Sequence, residues 1–220
     1  MENAAQSLPT PVRERLTAFS APRRPSRFTA RLLRGFAAAA ALAAALGAEA
    51  ATTYNITSTS MVSAADGECT LVEALASASQ NATVNDCVST AGPYTINLVP
   101  GIYSFSTKTY VDGNFGDTAV SVAAADVTIN GNGATLSRNP VGDNMRLFYI
   151  GNFRSLTLSN VTVSGFNASN TAQVLAYWGG ALAMVQGTLN IENSTISGNV
   201  CLTTGCDGAA IVAYASTGGC

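Results

Sequence analysis

The chain has no histidine, so proton transfer beyond residue 50 falls to ten carboxylates and four cations. The carboxylates are Asp66, Glu68, Glu73, Asp86, Asp112, Asp117, Asp126, Asp143, Glu192 and Asp207, and the cations Lys108, Arg138, Arg146 and Arg154. Two cleavage chemistries use such a set. Glycoside hydrolysis needs two carboxylates facing each other across the scissile bond. A lyase needs a carboxylate-bound cation to acidify a proton and a base to remove it, commonly Arg or Lys. Asp112-Gly-Asn-Phe-Gly-Asp117 has the oxygen-rich composition of a calcium loop. Its twelfth residue, however, is Ala123 where an EF-hand places its closing Glu, so a turn packed by Phe115 is the competing reading. Trp178, beside Tyr177 and Gly179-Gly180, could stack on a sugar ring or simply cover a corner of the fold. A zinc site would need four thiolates, and the five cysteines, Cys69, Cys87, Cys201, Cys206 and Cys220, offer no two Cys-x-x-Cys pairs. The sequence predicts no metal, no cofactor and no catalytic residue.

What must position these groups is a repeat. Val127-Thr-Ile-Asn-Gly-Asn-Gly-Ala-Thr-Leu-Ser, Leu156-Thr-Leu-Ser-Asn-Val-Thr-Val-Ser-Gly and Leu189-Asn-Ile-Glu-Asn-Ser-Thr-Ile-Ser-Gly each hold two strand-length pieces of period 2. They are joined at Gly131, Asn160 and Asn193, a ladder of equivalent turn positions that suits Gly and Asn. The first residues of the copies lie 29 and 33 apart, so the cross-section is constant while loops vary. A repeat with one apolar face cannot bury it alone, and the copies must stack. Alternation sends Val127, Ile129, Leu136, Leu156, Leu158, Val161, Val163, Leu189, Ile191 and Ile196 inward, and Thr128, Thr157, Asn190, Thr135, Thr162 and Thr195 outward.

On that frame Glu192 falls in step with Ser159 and Asn130, Asp207 falls in step with Trp178, and no two carboxylates share a column on adjacent repeats. Arg138, Arg146 and Arg154 could gather near loops, and solvated turn positions explain them equally well. The column Thr135, Thr162, Thr195 could meet a flat ligand such as ice, but Thr is also a good residue for any solvated strand face. Five Asn-x-Ser/Thr sequons, at Asn55, Asn81, Asn160, Asn167 and Asn193, arise readily in an Asn- and Thr-rich chain.

Composition narrows the partners. Charged residues are 11% of the chain, against a usual value of about 25%. Seven of the eleven basic residues precede Phe36, and an apolar run, Phe36 to Leu46, then leads to Ala48-Glu49-Ala50. Positive flank, short apolar stretch and Ala-x-Ala exit predict a secretory signal peptide with an extended n-region over residues 1–50. An organellar transit peptide is a rival, and Arg23-Arg24 invites a twin-arginine reading. The apolar run is too short to span a bilayer, which takes about 20 residues. Beyond residue 50, four basic against ten acidic residues leave a net charge of −6. That excludes a phosphate-neutralising surface and makes nucleic acid and anionic membrane poor partners. Export makes disulfides the default, with Cys69–Cys87 and Cys201–Cys206 the sequence-local pairs and Cys220 left over.

Ahead of the repeats, residues 54–59 alternate like a strand, Asp66-Gly67 signals a turn, and Thr70-Leu-Val-Glu73 has capping-box form. Leu71, Leu75 and Ala78 give a short helix ending near Gln80-Asn81 an apolar stripe. Such a helix would cover the open end of a stack and its first strand edge. Cys69-Thr70-Leu71-Val72-Glu73-Ala74-Leu75, with Asp66-Gly67 before it and Asn85-Asp86-Cys87 after it, resembles the CSLREA cap motif that opens bacterial surface β-helices. Asp126-Val-Thr-Ile-Asn-Gly-Asn-Gly and Trp178-Gly-Gly-Ala-Leu are similar to polymorphic outer-membrane-protein repeats within the pectate-lyase-like class. The likeness covers about residues 54–214. Val72 departs from it, standing where the family motif has Arg. The resemblance implies export and a right-handed parallel β-helix with a surface or extracellular role, and it hands over no catalytic residue.

The expectation is therefore an all-β protein: a signal peptide over 1–50, an N-terminal cap over 51–93, and single-stranded right-handed parallel β-helix coils over 94–220. The coils look incomplete at the C-terminus, so that a C-terminal region or another subunit would finish them. The expected role is structural, adhesive or ligand-presenting, secreted through the Sec pathway or held at the cell surface, with a carbohydrate or host-surface ligand and no transmembrane helix after cleavage. The alternative is a polysaccharide lyase or hydrolase whose site lies in further coils.

Overall fold

A computed structural model describes residues 51–112, 116–168, 179–201 and 208–214. In chain order the elements are β1 (Thr52–Asn55), α1 (Leu71–Gln80), β2 (Tyr94–Asn97), β3 (Ile102–Phe105), β4 (Tyr110–Asp112), β5 (Gly116–Val122), β6 (Val127–Arg138), β7 (Arg146–Ile150), β8 (Ser155–Ser164), β9 (Leu182–Val185), β10 (Thr188–Glu192), β11 (Thr195–Ser197) and β12 (Ile211–Tyr214).

One sheet runs β1-β2-β6-β8-β10, with β3 also on β6 and β11 on β8, and a second runs β12-β9-β7-β5-β4. Every pairing is parallel except β4–β5. Paired residues such as Val127 and Leu156, or Leu156 and Leu189, are one repeat apart in sequence, so each circuit of the chain lays one strand onto the last. The described residues form an all-β parallel solenoid with one helix. β6 and β8 bend sharply, with a shift in pairing between Asn130 and Ala134, so the first sheet has two arms. The two strand pieces expected in each repeat copy are thus one continuous strand in the first two copies, β6 and β8, and two strands, β10 and β11, in the third.

Period-2 alternation builds the core. Tyr54, Ile96, Ile129, Leu158 and Ile191 form one inward column, and Tyr103, Leu136, Val163 and Ile196 another. Ile96, Ile129, Leu136, Leu158 and Val163 are all fully buried, and each is worth about 1.5–3 kcal/mol. The expectation for the last copy needs correcting. Ile191 sits in register with Leu158, yet it is 37% exposed, and Leu189 and Ile196 are only half-buried. The reason is positional: β10 is the outermost strand of its sheet among the described residues, so its inward side chains are covered from one side only.

α1 is the lid expected from Thr70 and Glu73. Leu71, Ala74, Leu75 and Ala78 follow helical spacing and all are buried. Asn81 ends the helix in the left-handed region at φ 52°, which Asn tolerates. Tyr54 Oη and Ser77 Oγ lie 2.7 Å apart, and Ser79 Oγ donates to Ser121 O at 2.7 Å, tying the helix to β1 and β5. The Cys69–Cys87 disulfide, 4.8 Å between Cα atoms, joins the residue ahead of the helix to the segment after it and so encloses α1. In the chain-entropy picture a loop of this size stabilises by about 3 kcal/mol.

Candidate functional site

The outward side of the first arm is a polar array whose only charged member among the described residues is Glu192. Thr53, Thr95, Thr128, Thr157 and Asn190 stand in register on successive strands, and so do Asn55, Asn97, Asn130, Ser159 and Glu192. Asn97 Nδ2 donates to Asn55 Oδ1 at 2.8 Å, and Asn130 Nδ2 donates to Asn97 Oδ1 at 2.7 Å. These three carboxamides form a fixed ladder that sequence reasoning missed. The signal was present: Tyr94-Thr-Ile-Asn97 and Val127-Thr-Ile-Asn130 are the same tetrapeptide pattern, 33 residues apart. The second arm has Ser104, Ser137, Ser164 and Ser197 in one column and Thr135, Thr162 and Thr195 in another, which begins with the exposed Ile102. The outer face of the second sheet differs, since Tyr149, Ala183 and Val185 form a separate apolar cluster there with Tyr110 and Val212.

The two arms meet at the corner predicted to hold Gly131, Asn160 and Asn193. Asn160 and Asn193 are left-handed, at φ 51° and 46°, and in the β6 coil the left-handed residues are Asn132 at 52° and Gly133 at 87°. Gly131 is demanded by a different constraint: a Cβ there would lie 2.5 Å from Asn160 O and 2.6 Å from the Val161 Cβ. β6 carries two more residues at this corner than β8, and the bowed-out turn leaves a groove of about 310 Å³ lined by Asn132, Gly133, Asn160, Val161, Thr162, Asn193 and Thr195. Asn132 Nδ2 donates to Leu98 O at 2.9 Å, and Asn160 Nδ2 reaches Ser159 Oγ at 3.5 Å. Ser194 Oγ accepts from Val161 N and so staples the β8 and β10–β11 turns together.

Most charged groups serve the cap and loops, and one set, Lys108, Asp117, Asp143 and Arg146, lies within electrostatic reach of one another. Glu73, fully buried, accepts from Ala64 N and Asn85 Nδ2 on Oε1 and from Thr70 N on Oε2, at 2.8–3.0 Å. Asp86 accepts from the Asp66 and Gly67 amides and Asp126 from Ser155 N, so both carboxylates shape loops. Asp117 pairs with Lys108 at 2.7 Å, and this hydrogen bond raises the lysine pKa. Arg146, 1% exposed, is pulled down to about 10 by burial, with nearby Asp117 opposing the shift. Asp143 accepts from Lys108 N. Arg138 Nη1 donates to the Asn139, Gly142 and Asp143 carbonyls and its Nε to Gly165 O, while Arg154 is exposed on the turn between β7 and β8. Arg138 is thus tied to the 139–143 loop, Arg146 is buried near Asp117, and Arg154 stands apart on an exposed turn.

Asp112 and Asp117 flank the end of the antiparallel β4–β5 pair, whose residues 113–115 lie outside the described residues. Trp178, Cys206, Asp207, Cys220 and residues 1–50 lie outside them too. Cys201 is disulfide-bonded, and the predicted pairing with Cys206 cannot be placed among the described residues. Among these residues no group of three or more His, Cys, Asp or Glu is arranged to hold a metal ion, and no helix is long and apolar enough to cross a membrane. In the cap, Thr70 Oγ1 donates to Val62 O while Glu73 receives the Thr70 amide. No family model matches the chain, and no curated protein or solved structure matches it either.

Proposed function

We infer that this chain is an exported, ligand-presenting β-helix, wound right-handed like the CSLREA-type surface proteins its cap sequence resembles, and that it acts by presenting a rigid surface and not by cleaving a substrate. One observation carries the reading. The outward faces of both arms are mostly columns of Thr, Ser and Asn repeated in register, interrupted by Glu192 and the exposed Ile102, while the buried or bonded charged groups serve loops and the cap. A solenoid whose outward columns are largely polar and repeated offers an extended contact surface, and such surfaces suit adhesion or scaffolding. The leader over residues 1–50 and the cap disulfide support an oxidising, extracytoplasmic setting.

Expression of the full chain in a Gram-negative host, with cell fractionation and N-terminal sequencing, tests this. The expected product starts near Ala51 and is accessible to added protease or released to the medium. An intact leader on cytoplasmic protein overturns the export reading. Incubation with polygalacturonate and mixed glycans should leave them unshortened, and reproducible chain cleavage overturns the non-catalytic role.

A further inference from the structure

The groove at the corner between the two arms repeats a chemical unit. Asn160 and Asn193 occupy left-handed positions on adjacent coils, and Thr162 and Thr195 follow two residues later, in register. Each coil therefore contributes one carboxamide and one hydroxyl, and adjacent coils are about 4.8 Å apart, the spacing of neighbouring strands. A left-handed residue at a bend directs its side chain away from the backbone, and both asparagines are exposed. The Asn193 carboxamide and the Thr162 and Thr195 hydroxyls have no hydrogen-bond partner among the described residues, in contrast to the self-bonded ladder Asn55–Asn97–Asn130. The bowed turn at Asn132-Gly133 forms the end of the groove, where a Cβ on Gly133 would meet nothing within 4 Å. No charged residue and no aromatic ring lines it.

We propose that this corner groove is a binding site for a neutral, polyhydroxylated chain, an uncharged oligosaccharide lying along the solenoid axis. The chemistry selects the class. A carboxamide offers both a donor and an acceptor and a hydroxyl offers both as well, so a repeated pair of them matches the vicinal hydroxyls of a sugar. With no cation in the groove, a uronate or sulfated chain would leave its anions uncompensated. With no stacking ring, affinity per sugar is low and accumulates over coils. The site gives the surface reading above a ligand class and rests on it. Failure of the groove would leave export and non-catalysis standing, since those are tested by fractionation and digestion.

The test is NMR titration of the full chain, produced in a bacterium without N-glycosylation because Asn160 and Asn193 head Asn-x-Thr sequons. The probes are cellohexaose, mannohexaose and laminarihexaose, with hexagalacturonate as the anionic control. At least one neutral hexasaccharide should give saturable shifts at the Asn160 and Asn193 side-chain amides and at Thr162 and Thr195, and the uronate should give none. Asn160→Gly with Asn193→Gly removes both carboxamides while keeping the left-handed backbone accessible. That pair should weaken binding about tenfold or more, as the loss of one or two neutral hydrogen bonds would. Val88→Ala, exposed in the cap after Cys87 and away from both arms, should leave binding unchanged. No shift with any neutral probe, shifts mapping elsewhere, equal binding of the uronate, or full affinity in the double variant would each overturn the proposal.

Discussion

Glu73 gives the sharpest test of how the lid holds. Its carboxylate is fully buried and takes three N–H donors: Ala64 N and Asn85 Nδ2 on one oxygen, Thr70 N on the other. Replacing Glu73 by Gln keeps the shape but converts one oxygen into an NH₂. Oriented to preserve the two bonds on Oε1, that NH₂ faces the Thr70 amide, donor against donor; turned the other way, it faces two. At least one hydrogen bond to a charged acceptor is lost, worth about 1.5–3 kcal/mol. The first turn of α1 also loses a negative charge that favoured its N-terminus, a further 0.3–1 kcal/mol or so. Glu73→Gln should therefore cost about 2–4 kcal/mol. Glu73→Ala, which strands all three donors, should cost more. Against a total stability of about 5–15 kcal/mol this is a large share, and for a domain of this size it lowers the melting temperature by roughly 4–16 °C. The assay is thermal or urea unfolding of parent, Glu73→Gln and Asn85→Ala, followed by far-UV circular dichroism. The double variant should show clear coupling, because the two residues share one bond. A Glu73→Gln variant within about 0.5 kcal/mol of the parent would refute the account of the cap, since surface substitutions commonly fall in that range.

Leu158 and Thr157 are neighbours on β8 facing opposite ways, so Leu158→Asp should unfold the stack locally, at more than about 4 kcal/mol, while Thr157→Asp should stay within about 1 kcal/mol, measured by chemical denaturation. Gly131→Ala should destabilise by about 1–3 kcal/mol through its clash with Asn160 O and Val161. Gly133→Ala meets no neighbour and should cost only its positive φ, about 1 kcal/mol. Burial raises the pKa of Tyr54 and Tyr103, and the bond to Asp117 raises that of Lys108. Groups raised on folding contribute stability that is intact below their unfolded pKa and is lost as pH climbs through the folded one. Arg146 alone runs the other way, gaining as pH passes about 10. Because Arg146 opposes the others, the check is the phenolate titration: Tyr54→Phe and Tyr103→Phe should each remove absorbance change from its high-pH end, and a loss from the low-pH end would contradict the burial of these rings.

The inward columns were legible because burial imposes a strict period of 2 on each strand, and a run such as Leu156-Thr-Leu-Ser leaves one choice of face. The lid was legible because a capping-box spacing and an i, i+4 stripe are local. Ile191 was not, since its place in the column says nothing about what covers it from the far side. The Asn55–Asn97–Asn130 ladder escaped for another reason. Asn55 and Asn97 lie 42 residues apart, with the lid inserted between them, and no fixed period links them. The corner was misread at one residue: Gly131 looked like the counterpart of Asn160, whereas the two extra residues in β6 shift the left-handed role to Asn132 and Gly133.

That shift exposes how the fold tolerates unequal repeats. The connections from the second sheet back to the first arm are short and nearly constant, residues 123–126, 151–154 and 186–187. Those from the second arm to the second sheet run 139–145, 165–181 and 198–210. Length varies at one corner and is held at the other. Since loop closure grows only slowly more costly with length, additions at the variable corner cost little. A similar addition at the constant corner would change where each strand enters the first arm. A slip of one residue there would turn Leu156 and Leu158 to solvent and Thr157 to the core. The first arm therefore keeps its register while sequence is free to drift at the opposite corner. The Thr and Asn columns of the first arm lie on the part whose register the packing holds, whereas the corner between the arms, with two extra residues in β6, admits the variation that opens the groove.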